Sequence, residues 1–460
     1  MTSLTSRLTD VLADVFGRHT FGHGIHPPEH KEETRERAIE QFDFAPVLVV
    51  PLSQHLGKPA VPLVRAGQEV VRGETIAEAD GFMSVAMHAP VSGTVRKIEL
   101  APSISGSMVP AVFLEPFPAS TQEVSDGAPC DVETATPDEI IEAIQRAGVV
   151  GLGGAAFPTH VKLRIPDGNF IDTLIVNGIE CEPYLTTDHR VMLEQADDVF
   201  MGLRYLLSAT GAERAIVAVE ANKPDAAERL RAACPDDLPV TVDVVPVKYP
   251  QGAEKMVIKA LLNREVPSGD LPLDVHAICI NVATTAEIGR LLPHGRGIQE
   301  RVVTIGGPGI KRKGNYRIPI GTPIRFALDQ CGVDESLSRV FLGGPMMGAA
   351  VSNLDIPITK GTSGITAFTT SETGDPYSGK PVYPCIHCAM CVEACPLYLN
   401  PSQLGLLAKT EQYQVMVDDY HLMDCFECGA CSYVCPSHIP LVQYFRLSKR
   451  MARRQQAAEQ

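Results

Sequence analysis

The sequence predicts a multidomain α/β protein built from four folded parts, and three observations carry that prediction. Two four-cysteine runs of identical spacing lie toward the C-terminal end, "CIHCAMCVEACP" at 385–396 and "CFECGACSYVCP" at 425–436. Between 135 and 300, helix-like and β-rich segments alternate, which is the rhythm of a parallel sheet with crossover helices. On both sides of that region the pattern turns to short β runs broken by Gly and Pro.

Composition sets the outer limits. A chain of 460 residues is too long for one core, while 45% apolar and 21% charged residues are ordinary for a globular protein. A net charge of −15 argues against a nucleic-acid partner, because phosphate binding needs a basic face. No run approaches the roughly 18 to 20 apolar residues of a membrane-spanning helix. The start, "MTSLTSRLTDVLADVF", lacks the basic n-region and apolar core of a secretory signal. A cytoplasmic setting follows, where thirteen cysteines are expected as ligands or buried thiols rather than disulfides.

Residues 1–45 read as a helix and an extended segment. Leu4, Leu8, Val11, Leu12, Val15 and Phe16 share one helical face, and Gly17 stops it. Residues 46–125 form hairpins with repeated Gly-x-x-Val turns and resemble biotinyl/lipoyl-type barrel-sandwich domains. The tip that would carry a modified lysine reads "GFMSVAMHA" and has none, so an unmodified structural or docking module is expected. In 135–300, "TLIVNGIE", "AIVAVEAN", "VTVDVVPV" and "HAICINVA" are strands, and "PDAAERLRAAC" and "AEKMVIKALLN" are helices. Residues 301–366 return to β, with a solvated basic turn at Lys311–Lys313, the capped helix "TPIRFALDQCG" and the glycine-rich "FLGGPMMG". A linker rich in Thr, Gly, Ser and Pro (367–384) leads to a cysteine domain over 375–446. A basic tail, 447–460, is expected as an exposed helix.

Both cysteine runs match C-x2-C-x2-C-x3-C-P, the bacterial arrangement for [4Fe–4S] clusters, in which the fourth cysteine serves the other cluster. Crossing gives Cys385, Cys388, Cys391 and Cys435 to one cluster and Cys425, Cys428, Cys431 and Cys395 to the other. Zinc sites tend to use two C-x2-C pairs, which two identical four-cysteine runs do not resemble. The spacer 396–424 looks helical, and His387 inside the first run is a donor beside the cluster or simply exposed. Cys234, Cys279 and Cys331 read as small buried hydrophobes.

The stretch "GVVGLGGAAFPTHVKL" at 148–163 supplies a second site. Gly151, Gly153 and Gly154 can approach a phosphate or ring without Cβ interference, and Lys162 is placed to neutralise a phosphate. After the next strand, "NGIECEP" offers Asn177 for a polar ring edge and Glu180 and Glu182 for hydroxyls. Together they fit a nucleotide site at the C-terminal ends of sheet strands.

With "GLGGAAFPTHVKL", "NGIECEPYLTTDHR", "YPQGAEK" and "NVATTAEI", the chain resembles the flavin- and NADH-binding subunit of respiratory complex I. It is closer still to the RnfC-type subunit of the Rnf electron-transport complex, whose order "GHGIHPPEHKEET", barrel-sandwich, Rossmann-like α/β, β-grasp (SLBB) and cluster motifs also follow. The resemblance covers roughly residues 22–445. It implies FMN held around Gly151–Ala155 (Gly151, Gly153, Gly154, Ala155), with Phe157 beside the nucleotide and Lys162 and Asn177 on the flavin. Glu180 and Glu182 would lie at the NADH and flavin site, and Asn281 and Thr284 in a flavin-phosphate loop. Tyr249, Gly252 and Glu254 match the family's tyrosine, glycine and second glutamate. The chain departs from complex I at Ile179, Cys181, Ala253 and Ile280.

The resemblance further implies a peripheral subunit on the cytoplasmic face of the inner cell membrane. It would exchange electrons between NAD(H) and ferredoxin through FMN and two [4Fe–4S] clusters. Its partners would be the other members of the complex, among them an iron–sulfur subunit that exchanges electrons with ferredoxin. Hydride transfer carried by FMN needs no acid–base residue of the protein, with Glu182 and Glu254 near the site. The alternatives are a soluble flavin and iron–sulfur reductase of the same superfamily, such as a corrin reductase, or a non-enzymatic electron relay.

Overall fold

The computed structural model describes residues 19–370 and 381–459. The helix expected at 4–16 and much of the 367–384 linker lie outside those residues. No helix among them is long and apolar enough to cross a membrane.

Residues 48–116 make two facing sheets. One orders the strands 48–51, 108–116, 93–102 and 69–70, and the other 61–62, 75–78 and 87–88. Alternating apolar residues close the interior, with Leu48, Val50, Ile76, Val95, Val112 and Leu114 buried. The lysine-free tip is plugged between the α/β region and the six-stranded-sheet part that follows it. Gln145 donates to the carbonyls of Gly81 (3.1 Å) and Ser84 (3.0 Å), His160 to Phe82 (2.7 Å) and Lys360 to Ala86 (2.7 Å).

The α/β region holds a four-stranded parallel sheet in the spatial order Val240–Val245, Arg214–Glu220, Thr173–Gly178, Ala277–Asn281. The inner strands are near-continuous apolar runs because helices cover both faces. Pro137–Arg146 starts in a capping box between Thr136 and Glu139, and Ala196–Thr210 ends at Gly211 with φ 65°. Two glycines let helices Ala196–Thr210 and Val282–Leu291 cross closely. A Cβ on Gly202 would fall 1.9 Å from the Thr285 carbonyl oxygen, and one on Gly289 2.0 Å from that of Asp198. That crossing sets where the second helix begins, directly after Asn281.

A six-stranded mixed sheet follows, in the order 39–41, 314–319, 300–306, 364–369, 337–342, 349–350, packed on helix Ile324–Cys331. Its edge strand Ile39–Gln41 comes from the N-terminal segment and runs parallel to Gly314–Pro319, with Phe42 edge-on to Tyr316 at 5.3 Å. The basic turn is not purely solvated, because Lys313 pairs with Glu33 at 2.6 Å. Helix Ile324–Cys331 has Pro323 at its N-cap and no side-chain cap, since the Thr322 hydroxyl donates instead to the Pro319 carbonyl (2.8 Å).

In the cysteine domain the spacer folds as two short helices, Pro401–Lys409 and Tyr413–Asp418. The last helix runs unbroken from Leu441 to Glu459, so the tail expected from 447 begins inside it. Leu441, Phe445 and Ala452 recur at helical spacing and are buried in the domain core, which makes the first half structural.

Candidate flavin and iron–sulfur sites

Strand order reverses between Thr173–Gly178 and Ala277–Asn281, which opens a crevice at their C-terminal ends. There Asn177 and Asn281 sit side by side in register. Asn177 donates to the Gly252 carbonyl (2.8 Å) and accepts from Ile179 N–H (3.2 Å). Asn281 caps its helix by accepting from Thr284 N–H (3.2 Å), as asparagine does well at that position. Its amide donates to Asp188 (2.7 Å).

The glycine loop folds over this corner. Gly151 N–H donates to the Phe157 carbonyl (2.8 Å) and Leu152 N–H to the Thr284 hydroxyl (2.9 Å). Gly153 rests on Asn281, whose Nδ2 would be 3.3 Å from a Cβ, and Gly154 takes φ +105° with open space beside it. Among the described residues the N–H groups of Gly153, Gly154 and Ala155 meet no protein acceptor, and all three residues are exposed. Such a row is a nest for an anion or a carbonyl edge, which fits a flavin nucleotide. Phe157 is half-buried at the loop's end.

The charged residues expected at the site also bond the protein itself. Lys162 bonds the Glu254 carboxylate and the Cys279 carbonyl (2.6 Å), so a protein carboxylate already answers its charge. Glu180 stands in left-handed backbone (φ 48°) and accepts from Asp188 N–H (2.7 Å) and His189 N–H (3.2 Å), stabilising the start of Thr187–Glu194. Glu182 accepts from Met346 N–H (2.7 Å) and Met347 N–H (3.0 Å) and is pushed up in pKa by burial. Tyr249 is buried and donates to the Cys428 carbonyl (2.6 Å). The glycine loop, Lys162, Asn177, Gly252, Glu254, Asn281 and Thr284 thus gather around one crevice. Glu180, Glu182 and Tyr249 turn to the protein's own amides and to the cysteine domain.

Several residues at this corner escaped the sequence reading. Asp188 lies within "NGIECEPYLTTDHR", and burial, with Glu180 next in effect, pushes its carboxyl up to about 7. Lys31 lies within "GHGIHPPEHKEET" and donates to the carbonyls of Glu180 (2.8 Å), Glu182 (3.0 Å) and Leu185. Those two motifs were the available signals. Arg301 and Lys360, both buried, had none.

The thirteen cysteines form no disulfide. Cys385, Cys388, Cys391 and Cys435 line one cavity of about 300 Å³, and Cys395, Cys425, Cys428 and Cys431 line a second. These are the two crossed quartets. Left-handed residues, including Ala389 (φ 64°) and Gly429 (φ 81°), turn each run around its cavity. Burial pushes the Cys391 and Cys425 thiols to about 11 and Cys428 to about 12, so these sulfurs ionise only against bound cations. Among the described residues no three His, Cys, Asp or Glu side chains converge on a single-ion site, and the first quartet surrounds an open cavity, which suits a cluster better than one zinc. His387 is exposed and only its backbone N–H reaches Cys385 Sγ (3.4 Å). Of the other cysteines, Cys279 and Cys331 are buried as expected, while Cys234 is partly exposed.

The two cavities differ in setting. The second faces the rest of the chain: Tyr249 of the α/β region bonds the Cys428 carbonyl, His23 of the N-terminal segment bonds that of Cys395 (3.1 Å), and Gly429 lies against Met346, beside the six-stranded sheet. The first opens outward, with Cys388 exposed beside Ile386 and Met390.

Comparison with known proteins agrees with these parts. An RnfC barrel sandwich hybrid domain matches residues 19–117, a Nuo51 FMN-binding domain 144–290, an SLBB domain 302–350 and a 4Fe-4S dicluster domain 381–439. The RnfC-type subunit of the proton-translocating ferredoxin:NAD(+) oxidoreductase complex of Clostridium ljungdahlii is 41% identical over 433 residues, 94% of this chain and 93% of that one. Its counterpart in the Na(+)-translocating complex of Acetobacterium woodii is 41% identical over 389 residues, 84% of this chain and 86% of that one. The corresponding subunit of the ion-translocating oxidoreductase complex of Pseudomonas aeruginosa is 40% identical over 95% of this chain, which spans only 56% of it. A chain of an NAD+-reducing [NiFe]-hydrogenase superposes with a TM-score of 0.49 at 19% identity over 69% of this chain and 63% of that one, a likeness too slight to argue from. The chain therefore combines an FMN-binding domain with a [4Fe–4S] dicluster domain, and it belongs to the RnfC family of subunits of ion-translocating ferredoxin:NAD(+) oxidoreductase complexes.

Proposed function

We propose that the chain passes electrons between NAD(H) and ferredoxin as a peripheral subunit on the cytoplasmic face of a membrane-bound, ion-translocating complex. One observation carries the reading. The 249–252 turn serves both halves, since Gly252 accepts from Asn177 in the crevice while the Tyr249 hydroxyl reaches Cys428 in the second quartet.

Bound FMN supplies the exchange between a two-electron hydride and single electrons. In this reading the α/β sheet is Rossmann-like, with its 3-2-1-4 order and a binding crevice at the switch point. The Gly153–Ala155 amides, Lys162, Asn177, Asn281 and Thr284 hold the flavin, and Glu254 sets the charge of Lys162. Cys395, Cys425, Cys428 and Cys431 hold the cluster nearer the flavin. Cys385, Cys388, Cys391 and Cys435 hold the outward one, where an iron–sulfur partner docks. Relatives named for proton and for sodium translocation are equally similar to this chain, so ion choice belongs to the partners.

The test is an anaerobic NADH titration of the full chain reconstituted with FMN, iron and sulfide, followed by absorbance and EPR. Bleaching of the flavin band together with reduced-cluster signals is expected. In Cys428→Ser, NADH should still bleach the flavin while the reduced-cluster signals are lost. Clusters that respond to dithionite but not to NADH, with flavin bound, would replace this reading with a plain relay.

A further inference from the structure

The amide groups of Leu152 are held from both sides. Its N–H donates to the Thr284 hydroxyl (2.9 Å), and its carbonyl accepts from Arg301 Nη2 (2.5 Å). Arg301 comes from a different sheet, at the start of Glu300–Gly306, and is 1% exposed. Its Nε donates to the Lys360 carbonyl (3.0 Å). Lys360, also 1% exposed, sends its ammonium to the carbonyls of Ala86 (2.7 Å) and Gly148 (2.8 Å). The carbonyls of Gly148 and Leu152, at the entry to the glycine loop, are thus taken by the buried Lys360 amine, whose pKa burial lowers to about 7, and by the buried Arg301 guanidinium. Neither side chain has a carboxylate oxygen within ion-pair distance among the described residues.

A trans peptide points its carbonyl and the following N–H in opposite directions. With the Leu152 carbonyl held inward by Arg301, the Gly153 N–H must point outward, where it joins the unpaired amides of Gly154 and Ala155. The buried guanidinium stands behind those outward amides, with Asp188 and Glu287 as the opposing charges that favour its cationic form against burial.

We propose that Arg301 is a positioning residue for the flavin: it fixes the Leu152–Gly153 peptide and adds positive potential behind the glycine loop, so that the loop prefers an anionic flavin. This rests on the flavin reading above. The predicted signature is selectivity for FMN over riboflavin, which shares the ring but lacks the phosphate.

The test titrates the full chain and its Arg301→Met and Arg301→Lys variants with FMN and with riboflavin, by quenching of flavin fluorescence. Loss of a charged donor is expected to weaken FMN on the order of tenfold to a hundredfold in Arg301→Met. Riboflavin should weaken much less, and Arg301→Lys should keep most of the preference. If Met prevents folding, Arg301→Gln, which still donates to Leu152 but carries no charge, serves the same comparison. Unchanged FMN affinity, or equal loss of both ligands, overturns the proposal and leaves Arg301 a packing residue. A wild-type chain that binds neither flavin overturns the flavin reading itself, and this proposal with it.

Discussion

Replacing Lys31 by methionine should loosen one turn and leave the rest of the chain intact. Lys31 is 5% exposed, and its ammonium donates to three carbonyls, those of Glu180, Glu182 and Leu185. They belong to the turn that follows the first parallel strand, where Glu180 (φ 48°) and Tyr184 (φ 68°) are both left-handed. Such residues cost about 1–3 kcal/mol each and persist only where their surroundings hold them. Methionine fills a similar volume and removes every donor. Each buried acceptor left unpaired costs about 1–3 kcal/mol. Part of that is offset, because burying the ammonium is itself unfavourable, as the lowered pKa of Lys31 shows. A net local loss of about 3 kcal/mol follows, roughly a hundredfold in the opening equilibrium. Native-state hydrogen exchange read by mass spectrometry on peptides covering 179–187 measures it. Exchange there should accelerate about a hundredfold while strand 214–220 stays as it was. An acceleration below threefold would refute the reasoning, and so would equal acceleration everywhere.

Three further outcomes are expected. Tyr249→Phe removes the hydroxyl on the Cys428 carbonyl and should shift one cluster potential by about 40 mV, since about 1.4 kcal/mol is 59 mV for one electron; redox-titrated EPR in which both clusters move equally would contradict it. Asp188, with a folded pKa of about 7 against an ordinary 3.8, keeps a proton in the folded chain that the unfolded chain has lost, so its contribution to stability falls as pH rises between those values. Asp188→Asn should therefore gain on wild type by up to about 1.4 kcal/mol per pH unit from pH 5 to 7, and parallel denaturation profiles would exclude it. Gly202→Ala places a methyl against the Thr285 carbonyl and should cost about 1–3 kcal/mol, seen as a fall of a few degrees in Tm; an unchanged Tm would mean the two helices part freely.

Local chemistry was the part of this molecule open to reading from sequence. The cysteine quartets could be read because twelve consecutive residues encode each loop, and a proline after the fourth cysteine turns it away. The parallel strands could be read because burial on both faces demands unbroken apolar runs such as "TLIV" and "AIVAV". Strand Ile39–Gln41 could not, because three residues reading "IEQ" carry no β pattern and gain their place only from Gly314–Pro319. Arg301, Lys360 and Lys31 look like surface residues until a fold closes over them and supplies carbonyls. Glu180 and Glu182 are legible as nucleotide-site carboxylates from their motif, but the sequence does not show that the backbone amides of Asp188, His189, Met346 and Met347 also bond them. The terminal helix was divided at 447 because its basic residues concealed the apolar stripe of Leu441, Phe445 and Ala452.

The exchange of fourth cysteines between the two runs bears on how the protein is made. Each cavity is walled by three sulfurs of one run and one of the other. Filling one cavity draws the distant run into place and so shapes the other, while emptying one leaves its neighbour with an unanchored wall. Iron loading should accordingly be all-or-none. A cell short of iron would hold complete and empty chains side by side, with few that could accept an electron at one cluster and have nowhere to send it.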